Sequence, residues 1–244
     1  VIEASVLQFD NEEDPSGDIV FSHNRQNNLD ERLVFGLYLQ DQYNISKNME
    51  FTAGVRYDNY SDFGEELSPR ASLVYGSNYG STFKLIYSKA YSAPNVRQLG
   101  SSIVGNTELK AEYVQSTELA WIHQFKKSML SVTAFHANYE NKITTIPRPP
   151  TAPAGGPRIF ENTGDVLAKG VELEFYATLT REFTLRAALT LQNTEEDPHF
   201  VAEKTFSLIA NYEDNDFNIN LNGYYHGNME QIGTIPGVGN RTVK

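Results

Sequence analysis

Asn162-Thr163-Gly164, followed closely by Gly170-Val171-Glu172-Leu173-Glu174-Phe175, decides how this chain is read. A turn-forming trio gives way to strict alternation. Val171, Leu173, Phe175, Ala177 and Leu179 share one parity, and Glu172, Glu174, Tyr176 and Thr178 share the other. Successive side chains of a strand point to opposite faces, so the stretch predicts a strand with one oily and one charged face. Most of the chain repeats this pattern, at lengths that suit a bilayer.

Composition narrows the classes. Tyr and Phe occur 14 times each in 244 residues, against one Trp and three Met. The formal charge of −11 argues against non-specific nucleic-acid binding, which needs a basic face. With no Cys there is no disulfide frame, thiolate metal site or Cys nucleophile. No run of about 18 apolar residues occurs, so an ordinary membrane-spanning helix is excluded. A membrane barrel is not, because alternating strands keep mean hydropathy low. No signal peptide is visible and residue 1 opens in strand-like sequence, so the chain reads as a processed or truncated piece.

Taken in order, residues 1–9 read as a strand and 10–31 as a polar loop. A hairpin follows at 33–43 and 51–57, with Leu33, Phe35, Leu37 and Leu39 opposed by Gly36, Tyr38, Gln40 and Gln42. Strands at 70–75 and 81–90 flank the compact turn Gly76-Ser77-Asn78-Tyr79-Gly80. A long connection, 91–111, leads to the pair 113–125 and 128–141. The parity of the second member is open: Leu130, Val132 and Ala134 compete with Phe135, Ala137 and Tyr139. Residues 142–166 form a Pro- and Gly-rich loop before the opening strand, which turns at Thr180-Arg181-Glu182 into Phe183, Leu185, Ala187, Leu189 and Leu191. After a loop at 194–202, the last pair carries Phe206, Leu208, Ala210 and Tyr212, then Phe217, Ile219, Leu221 and Tyr225. The tail from Gly227 shows no clear strand.

Many of these strands are longer than the ~5–6 residues usual in soluble proteins and match the ~9–11 of a tilted bilayer-crossing strand. Connections alternate, short near 45, 78, 127, 181 and 214 and long near 63, 100, 155 and 198. Outer-membrane barrels place short turns at the periplasmic end and long loops outside. The expected fold is all-β: an antiparallel up-and-down transmembrane β-barrel, of which about ten strands are read here.

Further stretches carry a family resemblance. Leu67-Ser68-Pro69-Arg70-Ala71-Ser72, Tyr87-Ser88-Lys89-Ala90-Tyr91-Ser92-Ala93-Pro94 with Gln98-Leu99, Asn106-Thr107-Glu108-Leu109-Lys110-Ala111-Glu112 leading to Ser116-Thr117-Glu118, and Asn162-Thr163-Gly164 with Gly170-Val171-Glu172 follow one another in order. Together they resemble the barrel half of TonB-dependent outer-membrane receptors, the transporters of siderophores, cobalamin and similar ligands. The likeness covers roughly residues 30–226. Ser92 stands where the family usually has Arg, and Ala111 where it usually has Pro. The resemblance implies an N-terminal plug inside a barrel of about 22 strands. Residues 1–244 are then a barrel-domain fragment, without the plug and first strands. It also implies an outer-membrane location in a lipid bilayer, a ligand that is most often a ferric siderophore, and coupling to a TonB complex through the plug. Cobalamin, haem or an oligosaccharide stays open as ligand. No cofactor or resident metal is expected.

Polar residues on the inner parity are Arg56, Arg70, Lys84, Glu118, Glu172, Glu174 and Arg186. The family implies a charged wall that bonds the plug; the plain alternative is a wetted face. A charge buried there needs a partner. Ligand candidates in and below the long loops are Tyr60, Phe63, Tyr91, Arg97, Gln98, Arg148, Arg158, Phe160, His199 and Phe200. Aromatics and Arg can grip an anionic or aromatic ligand by stacking, cation–π contact and forked hydrogen bonds. Tyr43, Tyr57, Phe125, Tyr139 and Phe183 fit an interfacial girdle better.

Two other classes compete. A catalytic outer-membrane barrel of protease or phospholipase type needs a base beside an acid or nucleophile. His23, His123, His136, His199 and His226 offer no such spacing, although His136 and His226 are expected to share the inner parity. A soluble glycan-binding β-sandwich would suit the aromatic loops and acidity, but not the continuous outward apolar parity.

Overall fold

The structure is a computed structural model that describes residues 2–10, 31–195, 201–227, 229–231 and 241–243. Its main body is one antiparallel sheet of eleven strands. In chain order these are β1 (Ile2–Asp10), β2 (Glu31–Ser46), β3 (Met49–Tyr60), β4 (Gly64–Gly76), β5 (Ser81–Ser92), β6 (Glu112–Gln124) and β7 (Ser128–Glu140), then β10 (Val166–Thr178), β11 (Phe183–Glu195), β12 (Lys204–Glu213) and β13 (Asn218–His226). A small hairpin of β8 (Ile143–Pro147) and β9 (Arg158–Asn162) lies in the β7–β10 connection, and a short helix, α1 (Val96–Gly100), in the β5–β6 connection. The expected featureless tail instead contains a paired β14 (Met229–Gln231) and β15 (Arg241–Val243). Each strand of the wall pairs with the next wall strand in sequence, an up-and-down meander. Among the described residues β1 and β13 are edges, so the wall is open.

Register turns the alternation into continuous rows. Tyr43, Phe51, Leu73, Leu85, Leu119, Ala134, Val171 and Leu191 lie opposite one another across eight successive strands. Directly opposed residues share a face, so this row and its parallels make one apolar surface. The surface is bare: Leu119 at its centre is 57% exposed. Asp41 interrupts it on β2, facing the same way as Leu39 and Tyr43. The open parity of β7 is decided by its neighbours. Leu130, Val132 and Ala134 lie opposite Phe175, Leu173 and Val171, which puts Phe135, Ala137 and Tyr139 on the polar face.

The apolar surface stops at a defined height. Towards the long-connection end it gives way to Lys89, Gln115 and Asn138 in one row, and to His136, Lys169 and Asn193 in the row below it. Lys169 there pairs with Glu195 at 2.6 Å. At the other end it is rimmed by aromatics. Tyr75 stacks on Phe83 at 6.4 Å, and His123 lies between Trp121 and Phe125. Tyr43 and Phe183 join the same rim, as expected of a girdle.

All connections at the aromatic-rimmed end are short, between two and four residues. The opposite end carries the long ones, with one correction. The connection near 63 is not long. Strands β3 and β4 continue to Tyr60 and Gly64 and are joined by Ser61-Asp62-Phe63 alone. Gly64 sits at φ 114, a conformation open mainly to glycine. Pairs such as Asn59 with Glu65 and Asp58 with Glu66 lie above the apolar surface. There a strand needs only its ladder hydrogen bonds, so alternation no longer marks it.

Leu119→Arg should destabilise the intact protein in lipid vesicles by about 2–4 kcal/mol, the cost of a cation on a lipid face. Thr133→Arg, which falls on the polar face between Ala120 and Glu172, should cost clearly less. Denaturant refolding in vesicles compares them; equal costs would mean that the two faces are wrongly assigned.

Candidate ligand-binding site

The long connections 93–111 and 141–165 are not loose. They hold many of the most buried side chains described: Pro94, Leu99, Leu109 and Ile159 are all buried, and Ala111 is 0% exposed. Helix α1 opens on a capping box, in which Asn95 accepts from the Gln98 N–H and Gln98 accepts from the Asn95 N–H. Backbone bonds join the two connections, from Phe160 N to Val104 O and from Gly156 N to Ile103 O. Asn106 adds a side-chain bond to Phe160 O at 3.0 Å.

Asn162 completes the joint. Its side-chain oxygen accepts from Lys110 N at 2.9 Å, while its amide donates to Lys110 O at 3.0 Å and Asn141 O at 2.6 Å. An amide side chain carries both a donor and an acceptor, so it can pair with a peptide group as a neighbouring strand would. The two connections thereby form one cap at the outer end of β5, β6, β7 and β10.

The same strand ends, with β11, surround a cavity of about 530 Å³, within the range typical of small-molecule sites. Tyr91, Tyr113 and Tyr139 supply its phenols, and Glu112, Glu140 and Lys142 its charges. Glu112 accepts from Ile143 N at 2.8 Å, and Glu140 from the Asn138 amide at 2.9 Å.

Behind the cavity, side chains of opposite parity meet. Tyr60 counts to the polar face and Tyr91 to the apolar one, yet their hydroxyls are 3.0 Å apart. Tyr113 likewise donates to Glu66 at 2.7 Å. The cause is a gap in the sheet. The β4–β5 ladder stops at Arg70 opposite Ser88, whereas β3–β4 and β5–β6 pair on to Gly64 and Ser92. Side chains pass through where strands part. Phe63 packs edge-on against Tyr60, and Arg32 lies over the same ring. Arg32 also forms a largely buried pair with Asp62 at 2.8 Å and donates to Pro94 O. Lys89 Nζ stands 4.3 Å over the Tyr113 ring.

Burial, then the bonds with Tyr60 and Asp58, hold the Tyr91 phenol well above its ordinary pKa. Burial and the Glu66 carboxylate push Tyr113 up to about 12. Both therefore stay protonated, uncharged donors near neutral pH.

The expected ligand residues scatter around this cavity. Tyr91 lines it, and Tyr60 and Phe63 stand behind it. Arg97 and Gln98 belong to α1, with Gln98 held in the capping box. Arg148 donates to the carbonyls of Gly156, Pro153, Arg158 and Ile103, and Arg158 to Thr145. Phe160 is half-buried in the cap. His199 and Phe200 lie outside the described residues. Glu112, Tyr113, Glu140 and Lys142 were missed, because each sits where alternation fades at a strand end. Tyr139, expected in the girdle, instead faces inward opposite Val114 and Val166. His136 and His226 do not share a face either: His136 lies in an outward row, and His226 follows the inward parity of β13.

Residues 4–241 match the family described as TonB dependent receptor-like, beta-barrel. The chain belongs to that family. It is a family of receptors, not of enzymes, which sets aside the catalytic and sandwich readings. The chain is 24% identical over 176 residues to the iron-regulated outer membrane virulence protein of Vibrio cholerae, covering 65% of this chain and 27% of that protein. It is 26% identical over 147 residues to the ferric enterobactin receptor of Pseudomonas aeruginosa, covering 53% and 20%. The chain thus spans about a quarter of the curated relatives' length. In fold it is similar to a crystallised variant of the ferric enterobactin receptor PfeA of P. aeruginosa, with a TM-score of 0.76 at 20% identity over all of this chain and 41% of that one. The FrpB iron transporter of Neisseria meningitidis gives 0.65 at 17% identity, over 82% and 34%.

On this receptor barrel the inner-wall candidates all occupy the polar face. Arg56 pairs at 2.7 Å with Asp58, which is 1% exposed. Arg70 lies over Tyr38 and bonds its hydroxyl and Gln40. Arg186 lies 6.0 Å over Tyr176. Lys84, Glu118, Glu172 and Glu174 form no ion pair among the described residues; Glu172, for example, stands between Thr133 and Thr190. Gly170 faces the same side, where a Cβ would meet the Leu191 backbone oxygen and, at 2.8 Å, the Phe135 ring. The glycine of the motif makes room for the β11 backbone and for that ring.

Asn162→Ala should remove the clamp on Lys110 and loosen the cap by about 1–3 kcal/mol, the cost of leaving partly buried peptide groups unpaired. Hydrogen exchange should quicken in 104–111 and 141–147 and stay unchanged in β10 and β11. Unaltered cap exchange would show that Asn162 does not join the two connections.

Proposed function

We propose that this chain forms part of the outer-membrane wall of a TonB-dependent receptor that binds a ferric siderophore at its outer end and imports it with energy delivered through a plug. The observation that carries this is the tyrosine-lined cavity at the long-connection end of a wall whose other face is apolar. Relatives named as ferric enterobactin receptors support the ligand class. One relative named as an outer membrane protein supports the location.

On this reading, Tyr139 offers a hydroxyl donor to the chelate, while Tyr91 and Tyr113, whose hydroxyls are engaged by Tyr60 and Glu66, offer ring faces, and Tyr60 holds Tyr91 in place. Arg97, exposed on the cap, makes the first contact from solvent. The cap keeps these groups at fixed distances, so little loop ordering opposes binding. Below them, Lys84, Glu118, Glu172 and Glu174, which form no ion pair among the described residues, face the lumen and bond the plug, which a partner spanning the periplasm pulls upon. The wall itself performs no chemistry on its cargo.

The test is titration of the intact receptor in detergent with ferric siderophores, haem and cobalamin, followed by fluorescence quenching. One ferric chelate should bind saturably, and Arg97→Ala should weaken it by about tenfold (~1.4 kcal/mol). Absence of binding across the panel would overturn the reading. The isolated 244-residue chain, reconstituted alone, should transport nothing; uptake by it would sink the proposed dependence on a plug.

A further inference from the structure

The charges around the cavity narrow the ligand further. Among the described residues its ionic lining is Glu112, Glu140 and Lys142, two acids against one base, with no Arg or His. A third carboxylate, Glu66, stands behind Tyr113. The partners observed for these acids are neutral: a backbone N–H for Glu112, an amide for Glu140 and a phenol for Glu66. Neutral donors steady a carboxylate without cancelling its charge. Of the guanidinium groups of the same end, Arg97 stands exposed on the cap, outside the cavity lining, and four others are engaged elsewhere. Arg32 is paired with Asp62 and Arg56 with Asp58, and Arg148 and Arg158 are held by cap carbonyls and Thr145.

Iron(III) bound by three doubly charged catecholates carries three negative charges. Bound by three singly charged hydroxamates it is neutral, and a pendant ammonium makes it cationic. Partial enclosure by protein walls amplifies such differences, because Coulomb interactions grow as the effective dielectric falls. A trianion entering here meets an excess of carboxylates among the described lining residues and, within that lining, lacks the forked guanidinium contacts that suit anions. A neutral or cationic chelate meets phenols, aliphatic walls from Val114 and Val166, and acids that attract an ammonium.

We propose that this cavity selects a ferric chelate of zero or positive net charge, of the hydroxamate type, over a trianionic catecholate, with Glu112 and Glu140 as the residues that set the preference. The inference rests on the siderophore-binding reading above and adds the charge class of the ligand.

The experiment titrates the intact receptor with a ferric tris-catecholate, a neutral ferric tris-hydroxamate and a ferric tris-hydroxamate bearing one ammonium. The two hydroxamates should bind at least about tenfold tighter than the catecholate. The lead of the cationic complex over the catecholate should shrink between about 0.05 M and 0.5 M salt as screening sets in. Combining Glu112→Gln with Glu140→Gln should narrow that lead by about tenfold at low salt, with folding verified by heat-dependent gel migration. If the double variant does not fold, the salt dependence of the unaltered receptor decides. A catecholate bound as tightly as the others, or a ratio unmoved by a folded double variant or by salt, overturns the charge preference and leaves siderophore binding standing. Failure of all three chelates to bind overturns the siderophore reading itself.

Discussion

The constraint on which everything else depends is the demand for unbroken backbone pairing. A strand in hydrocarbon has no water to satisfy its N–H and C=O groups, so each must find them in a neighbouring strand. From β2 to β13 the wall meets that demand with ladders in which almost every residue has a named partner opposite it. Once register is set in this way, the two-residue period sorts side chains without further instruction. Leu119 must face outward with Leu85 and Ala134, and Glu118 must face inward with Ile86 and Phe135. A slip of one residue would exchange the faces wholesale.

The candidate site lies where the constraint relaxes. Above the row of Lys89, Gln115 and Asn138 water is available again, and β4 and β5 part company beyond Arg70 and Ser88. Through that gap Tyr91 reaches Tyr60, and Tyr113 reaches Glu66. The cavity gathers its phenols and acids just there. A rigid wall below and a clamped cap above leave it small, preorganised and lined by groups from five strands.

The cap also gives the motif residues a physical role. Asn106 and Asn162 stand in segments separated by more than fifty residues, yet their amides close the same joint, on Phe160 O and on the Lys110 peptide group. Ala111, where the family usually has Pro, is fully buried beside it. A small side chain suffices there because packing, not a fixed ring, immobilises the chain. Arg148 and Arg158 have a similar fate. Read from sequence they are cations available to an anionic ligand, but the cap needs its carbonyls bonded, and it takes them.

Alternation over long strands, turn residues and the ordered motifs were enough to read the antiparallel wall, its two faces, the end with short turns and the family from the sequence by itself. Those features are local, since a strand's parity and a turn's chemistry depend on residues within a few positions of one another. Tertiary structure alone decided the parity of β7, the brevity of the turn at Ser61-Asp62-Phe63, the cap joint and the membership of the cavity. Each depends on which residue of a distant strand stands opposite, or on where a ladder ends. Tyr60 and Tyr91 meet because two strands separate between them. No pattern along either segment encodes that separation, because it is a property of the sheet and not of its strands.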